Sequence, residues 1–123
     1  MTMLIDTNIL IDYFNDRHKA VVFLEGLSAK PSVSVCTIME LFAGAASRKE
    51  ERRIEKLPDI VFVLPVTSQI ARIGGQHMKH YARSNGLDDL DALIAATAEH
   101  LGLALATLNV KHFPMFKRLK AAY

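Results

Sequence analysis

The sequence predicts one α/β domain, residues 1–123, built around a parallel sheet, and two observations lead there. Short apolar runs alternate along the chain with longer amphipathic segments, the pattern of strand–helix–strand units. A chain of 123 residues that is 50% hydrophobic has ordinary single-domain size and can bury a core without disulfides or a structural metal. No internal repeat, low-complexity tract or linker-like stretch interrupts the pattern.

Met3-Leu4-Ile5 reads as the first strand, closed by the polar trio Asp6-Thr7-Asn8, which suits the opening of a helix. Ile9, Leu10, Tyr13 and Phe14 then recur at helical spacing between Ile9 and Asn15. His18 to Leu27 forms a second helix. Ser32-Val33-Ser34-Val35 alternates polar and apolar as the second strand, and Thr37 opens a helix that runs to Ala46. Arg48 to Leu57 is a highly charged helix stopped by Pro58. Val61 to Leu64 is the third strand, ended by Pro65. A long helix from Thr67 to Ser84 has Gly86 as its stop signal. Asp88 to His100 is helical and capped by Gly102, and Leu103 to Thr107 is the fourth strand. The tail reads as a short helical turn from Phe113, followed by an edge strand at Leu119 to Tyr123. Alternation of this kind gives right-handed crossovers with helices on both faces, and ligands then sit beyond the carboxyl ends of the strands.

Bulk properties exclude little. A net charge of +2 permits a phosphate-bearing partner without demanding one. The single Cys36 ends an apolar run and reads as a buried, unpaired thiol, in keeping with a reducing compartment. No stretch approaches the length that crosses a bilayer. The N-terminus lacks the features of a secretory signal, so a cytoplasmic protein with no membrane partner is expected.

Three strand ends carry acids. Asp6 follows the first strand, Glu40 lies on the first turn of the helix after the second, and Asp91 lies on the first turn of the helix leading into the fourth. Each has a plain structural reading. Thr37-Ile38-Met39-Glu40 is a Thr-x-x-Glu capping box, Asp88-Asp89-Leu90-Asp91 suits a capping Asp with an acid three residues on, and helix starts favour acids in any case. Taken together, carboxylates at three helix starts, each beside a strand end, can converge on one point. Such a cluster repels itself unless a cation sits in it or some members take up protons. Oxygen ligands of this kind suit Mg²⁺ or Mn²⁺. Asp88 is expected as an N-cap at the margin of the cluster.

At these residues the chain resembles a known family. Leu4-Ile5-Asp6-Thr7-Asn8-Ile9-Leu10-Ile11-Asp12 is similar to the opening motif of PIN domains, and Met39-Glu40-Leu41-Phe42-Ala43-Gly44 to their second motif. Asp91-Ala92-Leu93-Ile94-Ala95-Ala96-Thr97-Ala98 is the most specific match, and Thr107-Leu108-Asn109-Val110-Lys111-His112-Phe113 resembles the last motif. The four stand in the family's order over nearly the whole chain, and their spelling is most similar to VapC-type toxins. The resemblance implies a three-layer α/β/α fold around a parallel sheet and Mg²⁺- or Mn²⁺-dependent endonuclease activity on RNA, with tRNA or another structured RNA as target. It also implies a homodimer and inhibition by a small cognate antitoxin. Asp6, Glu40 and Asp91 match the acidic ligand positions, Asn8 a polar position beside the first acid, and Thr107 a hydroxyl that lines the site. Asn109 and His112 stand where family members often carry a fourth acid. A three-acid site favouring one metal is therefore expected. In it Asn109 offers a carbonyl oxygen to a metal-bound water, while His112 either hydrogen-bonds a phosphate or caps the following turn.

On this reading Asp6 and Asp91 hold the ion, and Glu40 orients or deprotonates the attacking water or else completes the metal shell. A catalytically inactive PIN fold kept as a binding module is the alternative. A phosphatase of the haloacid-dehalogenase kind needs an acid where Asn8 stands, and a receiver domain needs an acid after the third strand, where Pro65-Val66-Thr67 supplies none. The charged helix Arg48–Lys56 reads as a solvated face with local ion pairs, with the lining of an RNA path as the alternative. The apolar surplus of Ile9, Leu10, Tyr13, Phe14, Val22, Phe23 and Leu24 is core together with an antitoxin groove or dimer patch. Gly74-Gly75 inside a helix permits close packing, as at a dimer contact.

Overall fold

The structure, a computed structural model, describes residues 3–123. Four short strands, β1 (Met3–Ile5), β2 (Ser32–Ser34), β3 (Phe62–Leu64) and β4 (Ala104–Ala106), form a wholly parallel sheet in the order β3-β2-β1-β4. The chain builds outward from β1 to β3 and then returns to pair β4 with the other side of β1. Met3 stands beside Ala104, Leu4 beside Leu105 and Ile5 beside Ala106. This reversal of direction opens a crevice between the carboxyl ends of β1 and β4, where open α/β sheets bind their ligands.

Six helices, α1 (Thr7–Phe14), α2 (His18–Glu25), α3 (Val35–Gly44), α4 (Arg48–Glu55), α5 (Ser68–Asn85) and α6 (Asp89–Leu101), flank the sheet. Because side chains alternate along a strand, β1 feeds two cores. Ile5 packs with Val33, Ile9 and Leu10 of α1, Leu41 of α3 and Ile54 of α4. Leu4 packs on the opposite face with Ile94, Ala95 and Ala98 of α6 and with Phe113. Leu4, Ile5, Ile9 and Leu10 are all fully buried, and each such side chain contributes about 1.5–3 kcal/mol. The result is the expected three-layer α/β/α arrangement. Among the described residues no helix is long and apolar enough to cross a membrane.

Several local expectations change. Helix α3 begins at Val35, two residues early, because Ser34 adopts an extended cap conformation and its Oγ accepts the Cys36 N–H at 3.1 Å. Thr37 therefore lies within the helix and there is no Thr37–Glu40 capping box. Glu40 moves to the second turn, as the sixth residue of α3. Cys36 is free, as expected, but half-buried rather than buried. The tail does not form an edge strand at Leu119 to Tyr123. Ala122 and Tyr123 are adjacent yet pack into the same core cluster, which a pleated strand forbids. The tail is pinned instead by two bonds, Ala122 N–H to the Thr107 carbonyl at 3.0 Å and Tyr123 Oη–H to Asp12 Oδ2 at 2.7 Å.

Gly86 and Gly102 end α5 and α6 as left-handed caps, both at φ 65°, as expected of glycine at those positions. A Cβ on Gly74 would lie 3.3 Å from Leu93 Cδ2 and 3.5 Å from the Ala92 carbonyl oxygen, so this glycine serves the contact between α5 and α6. Gly75 faces open space. The close packing expected of the pair thus falls within the chain, at Gly74.

Candidate active site

Asp6 ends β1 and caps α1. Its backbone N–H continues the sheet to the Ala106 carbonyl at 2.8 Å, and its extended backbone aims the carboxylate across the β1–β4 crevice. Oδ1 accepts the Thr7 N–H at 2.8 Å and Oδ2 accepts the Thr107 hydroxyl at 2.7 Å. Asp6 is 5% exposed and Thr107 is fully buried. Burial pushes the Asp6 carboxyl above its usual range, while the bonds from Thr107 and Thr7 and the charge of His112 pull it back. The Thr107 hydroxyl also accepts the Asn109 backbone N–H at 3.0 Å, which fixes the turn after β4.

Asp91 sits in the first turn of α6, capped as expected by Asp88, whose Oδ1 accepts the Asp91 N–H at 2.8 Å. Burial and the negative charges of Asp88 and Asp6 lift its carboxyl from 3.8 to about 6. The opposing influence is His112, whose Nδ1 lies 3.2 Å from Asp91 Oδ2. Asp6, Asp88 and Asp91 therefore act on one another across the crevice, with His112 facing them. His112 contacts an acid here, so it is more than a cap on its own turn.

Glu40 approaches from the other side of Asp6. Its Oε1 accepts the Thr7 hydroxyl at 2.7 Å, and that hydroxyl lies 2.9 Å from Thr37 Oγ1. Glu40 also borders a pocket of about 200 Å³ between α1, α3 and α4, walled by Ile11, Phe14, Leu41 and Ile54. Two of the three acids thus stand at helix starts; the third is carried by a second helical turn and by a hydroxyl.

The supporting residues divide. Thr107 holds Asp6 and Asp88 holds the start of α6, whereas the side-chain Oδ1 and Nδ2 of Asn8 are buried without a hydrogen-bond partner among the described residues. Asn109 is exposed and joins the site through its backbone. Among the described residues, no three His, Cys, Asp or Glu side chains form a ready-made group for holding a metal ion. On α4, Arg48 pairs with Glu51 at 3.2 Å and with Glu55 at 3.8 Å, the solvated ion-paired face expected of it.

Thr7 and Thr37 were not legible as site residues. Thr37 is spelled as a helix cap, and Thr7 is flanked by two more conspicuous polar residues. The one available signal was the polar trio itself, set directly after a strand.

A family model described as "PIN domain" matches residues 3–120. "Ribonuclease VapC19" of Mycobacterium tuberculosis is 40% identical over 124 residues, covering 98% of both chains. "Ribonuclease VapC1" of Methanocaldococcus jannaschii is 31% identical over 94% of this chain and 81% of its own length. Among solved structures, a toxin–antitoxin complex from Klebsiella pneumoniae contains a chain of 30% identity that superposes with a TM-score of 0.85, covering 99% of this chain and 98% of that one. VapBC-1 from nontypeable Haemophilus influenzae gives 28% identity and a TM-score of 0.76 over 98% and 96%. With a family model over nearly the whole chain and full-length relatives at this identity, the chain belongs to the PIN-domain family, among its VapC-type members.

Proposed function

We propose that this chain is a metal-dependent endoribonuclease and the toxin of a toxin–antitoxin pair, acting on tRNA or another structured RNA of the cytoplasm. The observation that carries the proposal is the convergence on the β1–β4 crevice of Asp6 and Asp91, whose carboxyls are raised by burial and by the nearby charge of Asp88. The relatives named as VapC ribonucleases support it.

The donor set fits a hard divalent cation, Mg²⁺ or Mn²⁺. It is all oxygen, it is negatively charged, and its members are held apart by hydroxyl and backbone donors. Such ions keep several waters and use only one or two carboxylates directly, so an open site without a closed cage suits them. Asp6 and Asp91 would hold the ion, directly or through water, with Glu40 completing the set. When bound, the ion lowers the pKa of a water and steadies charge on the phosphate.

The remaining tasks fall to the chain. Thr107 and the Thr7 N–H fix the Asp6 carboxylate and favour its ionised form against the effect of burial. Glu40, turned by the Thr7 hydroxyl, takes the proton of the attacking water or orients that water. His112, beside Asp91, is placed to donate to a phosphate oxygen once protonated, and Asn109 stands exposed at the rim for a polar contact. Asn8, buried and unpaired beside Asp6, is a candidate for ordering water in the crevice.

The antitoxin is proposed on the strength of the complexes formed by the structural neighbours. Exposed Ile11 and the apolar walls of the pocket beside Glu40 offer it a seat. A homodimer is the proposed state of the free toxin.

Cleavage of total RNA with Mg²⁺ or Mn²⁺, with and without a chelator, tests the proposal. Cleavage that requires the metal and is lost in Asp6→Asn and Asp91→Asn is expected. Undiminished cleavage by both variants refutes the assigned site, and no cleavage under any condition favours the inactive binding module.

A further inference from the structure

Thr7 touches two of the three acids at once. Its backbone N–H donates to Asp6 Oδ1 at 2.8 Å and its hydroxyl donates to Glu40 Oε1 at 2.7 Å. A third contact fixes the sense of the hydroxyl. Thr37 Oγ1 lies 2.9 Å from Thr7 Oγ1. An ionised carboxylate only accepts, so the single Thr7 hydrogen is committed to Glu40 and Thr7 must accept from Thr37. The three groups form a one-way chain, Thr37 to Thr7 to Glu40, in which each hydroxyl polarises the next. Thr37 is fully buried, with 0% accessibility, and Thr7 is 5% exposed. Both donors thus belong to the buried interior, while Glu40 reaches from it towards the pocket.

Resting on the nuclease reading above, we infer that Thr7 and Thr37 are positioning residues that lock Glu40 in register with Asp6. Glu40 sits on α3 and Asp6 at the end of β1, two elements with no backbone bond between them at this point. Thr7 is the group that spans the gap. Fixing a rotatable glutamate through a buried donor matters because misplacing a reacting group by about 1 Å costs about a hundredfold in rate.

The test uses the whole chain with Thr7→Val, Thr7→Ser, Thr37→Val and Glu40→Leu. Steady-state cleavage of a defined RNA is expected to show Thr7→Val with kcat reduced about ten- to a hundredfold and KM within about threefold. Thr7→Ser, which keeps the hydroxyl, should recover to within about threefold of the parent, and Thr37→Val should fall between the two. A purely structural role would not produce rescue by serine together with a selective loss of kcat. Thr7→Val within about twofold of the parent, or Thr7→Ser as poor as Thr7→Val, overturns the inference.

A second readout does not depend on activity. Thermal unfolding of Thr7→Val, Glu40→Leu and the double variant should show non-additive Tm shifts, since each single change removes the one bond the two side chains share. Additive shifts overturn the inference. If the parent cleaves no RNA, the nuclease reading fails by itself and the Tm cycle still decides whether Thr7 holds Glu40.

Discussion

Replacing Asp91 by Asn should make the metal-free protein more stable near neutral pH. In the folded chain burial and the charges of Asp88 and Asp6 raise the Asp91 carboxyl from 3.8 to about 6, against the pull of His112. Well below pH 3.8 the group is protonated whether the chain is folded or not, and it carries no charge penalty. As pH rises from 3.8 to about 6 the unfolded chain gives up this proton before the folded one does, so stability falls. Above about 6 the penalty is complete. A rise of about two pKa units corresponds to about 3 kcal/mol. Part of that is shared with Asp88 and Asp6, and removing the charge also forfeits the 3.2 Å contact with His112. The expected gain for Asp91→Asn is therefore about 1–2 kcal/mol, or about 4–8 °C in Tm for a chain of this length. Thermal unfolding followed by circular dichroism in chelator, at about pH 4 and about pH 7.5, measures it, and the gain should shrink towards zero at the lower pH. Mn²⁺ should reverse the ranking, stabilising the parent by mass action and leaving the variant almost unmoved. A variant less stable than the parent at neutral pH, or a gain undiminished in acid, refutes the reasoning.

Thr107→Val removes the 2.7 Å donor from buried Asp6 Oδ2; a loss of about 1.5–3 kcal/mol at neutral pH is expected by urea unfolding, shrinking once Asp6 is protonated. Gly75→Ala, with no atom near its new Cβ, should stabilise α5 by up to about 1 kcal/mol through helix propensity. Gly74→Ala should gain less or nothing, since Leu93 Cδ2 must move from 3.3 Å, and paired melting curves compare the two. Tyr123→Phe deletes the 2.7 Å bond to Asp12, with a cost of about 1 kcal/mol in Tm-derived stability.

Periodicity and strand ends placed the sheet, its layers and the Asp6–Asp91 crevice, because those features follow from local rules: β1 is an apolar run cut off by an acid, and α6 opens on a capping Asp. What local rules could not settle was any choice made between elements. Thr37 and Glu40 spell a capping box, but Ser34 captures the helix start first, leaving both side chains free for long-range partners. Glu40 then finds Thr7, 33 residues away. Thr107 finds Asp6, 101 residues away. The tail is not a strand because Lys120, Ala121 and Ala122 are weak strand formers, and its end is held by long-range bonds from Ala122 to Thr107 and from Tyr123 to Asp12.

The donors that hold these acids fix them in place without cancelling their charge. Asp6 is secured by a hydroxyl and a backbone N–H, Glu40 by a hydroxyl, and Asp91 by its contact with His112, against the burial that raises its carboxyl. Among the described residues no Lys or Arg pairs with them, and such a charge would neutralise the cluster and close it to cations. Hydroxyls fix geometry without supplying charge, so the repulsion among Asp6, Asp88 and Asp91 is left standing in the folded state. A phosphodiester approaching that crevice alone would be repelled. A divalent cation would be attracted by the same charges and would then present a positive face to the phosphate. On the proposed reading the stability forgone at Asp91 is thus the source of the site's affinity for metal. That is why the variant that kills cleavage should be the one that melts later.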